Sequence, residues 1–265
     1  MDADVDGTLI HYELTGASGP LVVLTHGLGG RLEFFAPHVE ALARHFRVLR
    51  WDLRGAGGSA KPPGPYNPAL FAADLAGLLD RVGEARAFLV GHSGGGVVAQ
   101  RFALDFPHRV DGLVLASTSS EVGEKATNAW NRLADAVERK GFGDGDRDPD
   151  PRGFGPAFAA AHPEVVRALA AETRANDPRA YAASARAFGS YNWTADLGRI
   201  AAPTLVLQGL ADQMTPPGGS VILSRGIPRS RLVMIPEAGH NLPIEMPALF
   251  TTAIISFLAG LTLAH

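Results

Sequence analysis

The sequence has no cysteine among its 265 residues. That absence excludes disulfide bonds, metal sites built from thiolates and a cysteine nucleophile. Any covalent chemistry on this chain would therefore require a nucleophile of another type.

The sequence also has no large excess of positive or negative charge and no long apolar run. Charged residues make up 19% of the chain and the net charge is −3, so there is no basic surface of the kind that neutralises nucleic-acid phosphates. No stretch reaches the roughly 18 apolar residues that span a bilayer, and the acidic start Met1-Asp2-Ala3-Asp4 does not resemble a signal peptide. We expect a cytoplasmic protein, monomeric or homodimeric, that binds neither nucleic acid nor membrane.

Hydrophobic residues, by contrast, make up 46% of the sequence. A chain of this length buries roughly three quarters of the surface of its unfolded state, which excludes disorder as the main state. Because α/β chains often reach 250 residues as one unit, we expect one domain that carries an insertion.

Short apolar runs recur along the chain, each followed by glycine, aspartate or a polar loop. Continuous runs of this length are typical of strands that are covered on both faces, as in a parallel sheet. Helix-length segments lie between them, and the clearest begins with Asn67 as N-cap and Pro68 at the first helical position. This alternation predicts a doubly wound α/β fold, with residues 8–12 as an antiparallel edge. The predicted strands are 21–25, 46–51, 87–90, 110–116, 204–207 and 232–235.

The alternation stops after Ser120 and resumes at Thr204, and the sequence between them is helix-like and rich in alanine. This pattern predicts a core formed by residues 1–120 and 197–265, with residues 121–196 inserted as a helical cap.

Alternating aspartates within the cap, Asp144, Asp146 and Asp148, resemble the start of an EF-hand calcium loop. That loop also needs glycine at its sixth position and glutamate at its twelfth, where this chain has Pro149 and Gly155. The pattern therefore favours a solvated loop without a bound metal.

A candidate nucleophile follows the predicted strand 87–90. Gly91-x-Ser93-x-Gly95 lies where that strand meets a helical pattern, which is the context of a nucleophile elbow. Three consecutive glycines, 94–96, begin the helix, and each costs up to about 1 kcal/mol relative to alanine. Helix stability therefore does not explain them.

A serine hydroxyl needs a base, and the base needs an acid that orients it. Asp212 directly follows the strand 204–207, and His240 directly follows the strand 232–235. Both positions are at carboxyl ends of predicted strands, where α/β sheets build their sites. Glu121 is the alternative acid.

Acyl transfer through a serine also needs two backbone N–H groups that stabilise the developing oxyanion. We expect one from Gly94, directly after the nucleophile. The other is expected from Leu28, in the glycine-rich segment 26–30 that follows the strand 21–25.

Together these motifs resemble the α/β-hydrolase superfamily. The resemblance covers nearly the whole chain outside the cap and implies an eight-stranded, mostly parallel sheet flanked by helices, with a helical lid. It also implies a Ser93–His240–Asp212 triad that works without cofactor or metal. The sequence of residues 46–59 is most similar to that of enol-lactone hydrolases and small carboxylesterases. Ala56 and Gly94 differ from the residues that are common at these positions in the family. The motifs are His26-Gly27-x-Gly29, Asp52-Leu53-Arg54-Gly55-x-Gly57-x-Ser59, Gly91-His92-Ser93-Gly94-Gly95, Asp212 and Gly239-His240.

The resemblance predicts hydrolysis of a small-molecule carboxylic ester or lactone through an acyl-enzyme on Ser93. Haloalkane and epoxide hydrolases of the superfamily use aspartate at this position, and relatives that form peracids commonly carry tryptophan where this chain has Leu28. Two alternatives remain: a C–C bond hydrolase of ring-cleavage products with the same triad, and a slow-turnover small-molecule receptor of the same fold.

Aromatic residues of the cap are candidates for the substrate pocket. From the sequence we expect Trp130, Phe142, Phe158 and Trp193 to line it. Asp52 is expected to hold the loop beside the elbow, and His92 to point back toward the sheet.

Overall fold

A computed structural model describes residues 1–143 and 150–262 of the chain. Its centre is one eight-stranded sheet in the order β1-β2-β4-β3-β5-β6-β7-β8. The strands are β1 (Asp2–Val5), β2 (Thr8–Thr15), β3 (Leu21–Thr25), β4 (Arg47–Trp51), β5 (Ala87–His92), β6 (Val110–Ala116), β7 (Thr204–Gly209) and β8 (Ser230–Ile235).

The direction of the strands confirms a mostly parallel sheet. Only β1 with β2 and β2 with β4 pair antiparallel in the described part of the chain, and the other five neighbouring pairs are parallel. Because β3 to β8 run the same way, their carboxyl ends meet at one edge of the sheet. Each predicted strand is present. The structure adds β1, which the sequence does not indicate because it has only four residues.

Helices lie on both faces of the sheet and above its carboxyl edge. They are α1 (Ala36–Ala43), α2 (Pro68–Arg81), α3 (Gly94–Asp105), α4 (Glu124–Lys140), α5 (Pro156–Ala161), α6 (Pro163–Arg174), α7 (Pro178–Phe188), α8 (Gly218–Gly226), α9 (Leu242–Glu245) and α10 (Pro247–Thr262). Side chains of α2, α3 and α8, such as Phe71, Phe102 and Leu223, share one buried cluster. The other face is covered by α1 and α10 through Leu42 and Ile254.

The N-cap of α2 is the one that the sequence predicts. The Asn67 side chain accepts a hydrogen bond from the Leu70 N–H at 2.9 Å, and Pro68 occupies the first helical position. The buried stripe of α2 includes Phe71, Leu75 and Leu78.

Four helices, α4 to α7, lie between β6 and β7, above the carboxyl edge of the sheet. The two ends of this helical insertion meet where Glu121 and Asn192 form an antiparallel bridge. Asp144, Asp146 and Asp148 of the predicted solvated loop lie outside the described residues. Over the part of the chain that the structure describes, no helix is long and apolar enough to cross a membrane.

Candidate active site

Ser93 lies on a sharp turn between β5 and α3. Its backbone has φ 55° and ψ −118°, a conformation that is strained for a residue with a side chain. The two motif glycines permit the turn, because a Cβ at Gly91 would overlap the carbonyl oxygen of Gly95. A Cβ at Gly95 would in turn overlap the carbonyl oxygen of Thr25. The three consecutive glycines begin α3 because a Cβ would meet the Phe188 ring at Gly94, the Thr25 backbone at Gly95 and the Thr118 side chain at Gly96.

The predicted serine, histidine and aspartate form one hydrogen-bonded chain. Ser93 Oγ is 2.9 Å from His240 Nε2, and His240 Nδ1 is 3.0 Å from Asp212 Oδ2. The carboxylate is an acceptor, so Nδ1 carries the proton and Nε2 accepts the hydrogen bond from the Ser93 hydroxyl. This arrangement is suited to activating the hydroxyl as a nucleophile.

The Asp212 carboxylate accepts hydrogen bonds from three donors in addition to His240. These donors are the Met214 and Thr215 N–H groups, both at 2.8 Å, and the Gln208 side chain at 3.1 Å. Burial works to raise the pKa of this carboxyl, but the hydrogen bonds and the neighbouring imidazole outweigh burial and hold the pKa below its usual value. Asp212 is therefore ionised at neutral pH.

The backbone of His240 is fixed by His92, the residue before the nucleophile. His92 Nε2 donates to the His240 carbonyl oxygen at 2.8 Å, and its ring stacks on Phe34 with 4.8 Å between centroids. Burial lowers the pKa of His92 to about 3, so its ring is neutral and serves as a hydrogen-bond donor in the interior.

The glycine-rich segment after β3 lies against the nucleophile. A Cβ at Gly27 would be 2.9 Å from the Cβ of Ser93. Within residues 1–143 and 150–262, the N–H groups of Leu28 and Gly94 donate to no protein acceptor. The segment is held by His26, whose Nδ1 donates to the Gly27 carbonyl at 2.8 Å, and by Asn176 of the cap, which donates to the Gly29 carbonyl at 2.9 Å.

Two cavities meet at Ser93 beneath the cap. The inner chamber, of about 310 Å³, lies between α3, α4 and α8 and is walled by Val97, Phe188, Tyr191 and Ile222. The outer chamber, of about 490 Å³, lies against α4 and α6. Its walls include Phe154, Leu169, Tyr181 and His240.

Half of the predicted pocket aromatics line these chambers. Trp130 borders both, and Phe142 borders the outer one. In the described part of the chain Phe158 and Trp193 contribute to neither, which corrects the prediction. Phe158 packs between Phe154 and His162, while Trp193 is buried and donates from Nε1 to Gln100. That a residue is aromatic and lies in the cap does not distinguish these packing positions from the chamber walls.

Other charged candidates have structural partners instead. Glu121, the alternative acid, accepts hydrogen bonds from Asn192 at 3.0 Å and from Thr194 at 3.3 Å. Asp52 accepts from the N–H groups of Leu32 and Gly58, both at 2.7 Å, and so fixes two loops below the site. Among the described residues no group of three or more His, Cys, Asp or Glu side chains is arranged to hold a metal ion.

Comparison with known proteins places this geometry in context. The family model of the alpha/beta hydrolase fold matches residues 20–247. The 3-oxoadipate enol-lactonase 2 of Acinetobacter baylyi is 29% identical over 246 residues, which are 92% of this chain and 91% of that protein. A protein of Variovorax paradoxus, provisionally named carbamate hydrolase RutD, is 34% identical over 260 residues, 94% of this chain and 96% of that one.

Solved structures agree with the sequence relatives. The enol-lactonase from Burkholderia xenovorans superposes with a TM-score of 0.92 at 31% identity, over 98% of this chain and 100% of that one. An esterase from Thermogutta terrifontis superposes with a TM-score of 0.88 at 33% identity, over 96% and 94% of the two chains.

Proposed function

This chain belongs to the α/β-hydrolase fold family, and on that premise we propose that it is a serine hydrolase that cleaves a carboxylic ester or a lactone through an acyl-enzyme on Ser93. The observation that carries the proposal is the continuous hydrogen-bonded chain from Ser93 through His240 to Asp212. The enol-lactonase and esterase relatives support the choice of substrate class.

In the first half of the proposed reaction, His240 Nε2 takes the hydroxyl proton while Ser93 Oγ bonds to the substrate carbonyl carbon. The carbonyl oxygen becomes an oxyanion, which would accept hydrogen bonds from the free N–H groups of Leu28 and Gly94. As the tetrahedral intermediate collapses, the C–O bond to the leaving oxygen breaks and His240 returns its proton to that oxygen. An ester then releases its alcohol, whereas a lactone opens and stays attached through its acyl carbon.

In the second half, a water molecule takes the place of the leaving group. His240 accepts one proton from this water, the resulting hydroxide attacks the acyl carbon, and the second intermediate collapses with return of the proton to Ser93 Oγ. The products are the carboxylic acid and the regenerated enzyme. Throughout the cycle Asp212 keeps Nδ1 protonated and stabilises the imidazolium, without taking a proton itself.

The two chambers suit the two halves of such a substrate. His240 lines the outer chamber, so the leaving oxygen, which it must protonate, would lie on that side. Gly94 and Val97 line the inner chamber, which would then hold the acyl group. The mixture of apolar walls and few polar groups is common in small-molecule sites.

A second candidate is carbamate hydrolysis, favoured by the 34% identity to the carbamate hydrolase relative. A carbamate carbonyl passes through the same tetrahedral intermediate, so the triad alone does not separate the two substrate classes. Two alternatives remain to be distinguished by turnover. A C–C bond hydrolase would turn over ring-cleavage diketones, whereas a slow receptor would stop near one equivalent of product per chain.

The test is a substrate panel of p-nitrophenyl esters, saturated and enol lactones, carbamates and ring-cleavage diketones, assayed with the wild type and Ser93→Ala. We expect many turnovers per chain on at least one ester or lactone, and a loss of about 10⁴-fold or more in kcat in the variant, whose fold should be unchanged because the core is untouched. Near wild-type turnover by Ser93→Ala would contradict the nucleophile assignment. A burst of one equivalent without a steady state across the panel would instead indicate a receptor.

A further inference from the structure

The loop that carries His240 lies directly on a segment of the cap. We call residues 236–241 the His240 loop and residues 153–155 the cap strap. A Cβ at Gly155 would overlap the carbonyl oxygen of Glu237, and a Cβ at Gly239 would overlap the backbone of the strap at Gly155. Backbone therefore touches backbone, and no side chain separates the strap from the loop.

Hydrogen bonds join the two segments as well. The backbone N–H and the side-chain amide of Asn241 both donate to the Gly153 carbonyl oxygen at 2.9 Å. These bonds secure one end of the strap, and the other end depends on a carboxylate.

That carboxylate belongs to Glu245, at the end of α9. Its Oε2 accepts the Gly155 N–H at 2.8 Å, and both of its oxygens lie 3.0 Å from the nitrogen of Gly239. Gly155 and Gly239 are buried, so neither N–H has water as a substitute partner. One half-buried side chain thus satisfies a donor from the cap and a donor from the residue directly before His240.

The contact between Glu245 and Gly239 matters because Gly239 directly precedes His240. The carbonyl of His240 is held by His92 from the side of the elbow, and the N–H of Gly239 is held by Glu245 from the side of the cap. The backbone on either side of the His240 Cα is therefore fixed from two directions, and the direction of the imidazole toward Ser93 depends on both.

We propose that Glu245 is a positioning residue that holds the His240 loop against the cap strap, so that the placement of the His240 imidazole depends on the seating of the cap. The inference rests on the proposed function, in which His240 is the base. Because Gly153 and Phe154 of the strap line the outer chamber, the same carboxylate links the wall of that chamber to the base. Burial raises the pKa of Glu245, while the two N–H donors oppose that shift by stabilising the ionised form.

The test compares Glu245→Gln with the wild type on the best ester or lactone, with kcat expressed per titrated active site. The amide keeps one acceptor oxygen but turns its NH₂ group toward a backbone donor. We expect kcat and the rate of Ser93 labelling by a fluorophosphonate to fall together by about tenfold to a hundredfold, with KM nearly unchanged, since small misplacements of a catalytic group have effects of that size. In hydrogen exchange, the amides of Gly155 and Gly239 should lose protection.

Glu84→Gln is the matched control, because Glu84 is also a partly buried glutamate whose carboxylate is hydrogen-bonded, in its case to Arg47, far from the site. A merely structural role for Glu245 would reduce the number of active sites but leave kcat per site unchanged, and that result would overturn the proposal. Should Glu245→Gln not fold, Glu245→Asp, which keeps the charge but shortens its reach, is measured in the same way. A wild type that is neither labelled nor active would contradict the proposed function rather than this inference.

Discussion

At the scale of single residues, the position after the nucleophile is the clearest case in which the structure explains an unusual residue. A Cβ at Gly94 would lie 2.9 to 3.2 Å from three ring carbons of Phe188. Phe188 is buried and stacks on Phe71 with 5.1 Å between centroids, so its ring has little freedom to move aside. Glycine thus stands here because Phe188 fills the space that a side chain would need.

Gly94→Ala should therefore overpack the floor of the inner chamber. We expect a loss of about 1–3 kcal/mol in the free energy of unfolding, the usual cost of forcing extra atoms into a packed core. The oxyanion donor is a backbone N–H and is retained, so esters with small acyl groups should still be hydrolysed while selectivity against bulky acyl groups changes. Gly218→Ala, at the first residue of α8 with open space around its Cβ, is the control for urea unfolding. Equal stability of the two variants would contradict this account.

Asp212 and Glu121 offer a second test at this scale. Asp212→Asn should lower kcat by about 10⁴-fold, because the amide favours the wrong tautomer of His240 while preserving its position. Glu121→Gln should not produce such a loss, since Glu121 is bonded to Asn192 and Thr194 instead of His240. Steady-state kinetics and fluorophosphonate labelling measure both variants. Similar losses in the two would leave the acid of the triad unassigned.

At the scale of elements, α1 and α10 are joined by a buried histidine. His38 Nδ1 donates to Thr251 Oγ1 at 2.7 Å, and that hydroxyl donates onward to the Pro247 carbonyl. His38 Nε2 is buried without a partner in the described part of the chain, beside the rings of Phe35 and Phe250. Burial lowers the pKa of His38 to about 4, since a proton on Nε2 would create a charge in this apolar contact.

The lowered pKa predicts that the packing of α1 on α10 weakens in acid. The unfolded chain binds a proton at His38 near its ordinary pKa of 6.5, whereas the folded chain binds it only near 4. Stability should therefore fall as the pH drops from about 6.5 to about 4, by about 3 kcal/mol from this group, at about 1.4 kcal/mol per pKa unit. His38→Gln should flatten this part of the profile in urea unfolding. The exposed His45 supplies the control His45→Gln, and a wild-type slope in His38→Gln would contradict the assignment.

At the scale of the whole molecule, the parallel sheet assembles the site. Ser93 follows β5, Leu28 follows β3, Asp212 follows β7 and His240 follows β8. Ser93 and His240, 147 positions apart, come within hydrogen-bond distance because the carboxyl ends of these strands share one edge. The cap then encloses that edge and contacts both the Leu28 segment, through Asn176, and the His240 loop, through the strap.

The sequence by itself determined the features that depend on local pattern. Apolar runs marked the buried strands because a strand covered on both faces needs apolar side chains at every position. Asn67 and Pro68 marked the start of α2 through hydrogen bonding and backbone geometry that extend over only three residues. The positions of Ser93, Asp212 and His240 at strand ends were readable for the same reason, as were the glycines of the elbow.

Only the tertiary structure decided which groups meet. Composition identifies the aromatic residues of the cap but not what each one packs against, so the sequence did not separate Phe158 and Trp193 from Trp130 and Phe142, although only the last two line the chambers. The contact of His92 with His240 and that of Glu245 with Gly155 are likewise absent from any local motif, because each joins segments that only the fold brings together. The strand order, with β4 between β2 and β3, is set by long-range pairing. Hydrogen bonds between strands depend on backbone geometry and hardly at all on how far apart the two strands lie in the sequence.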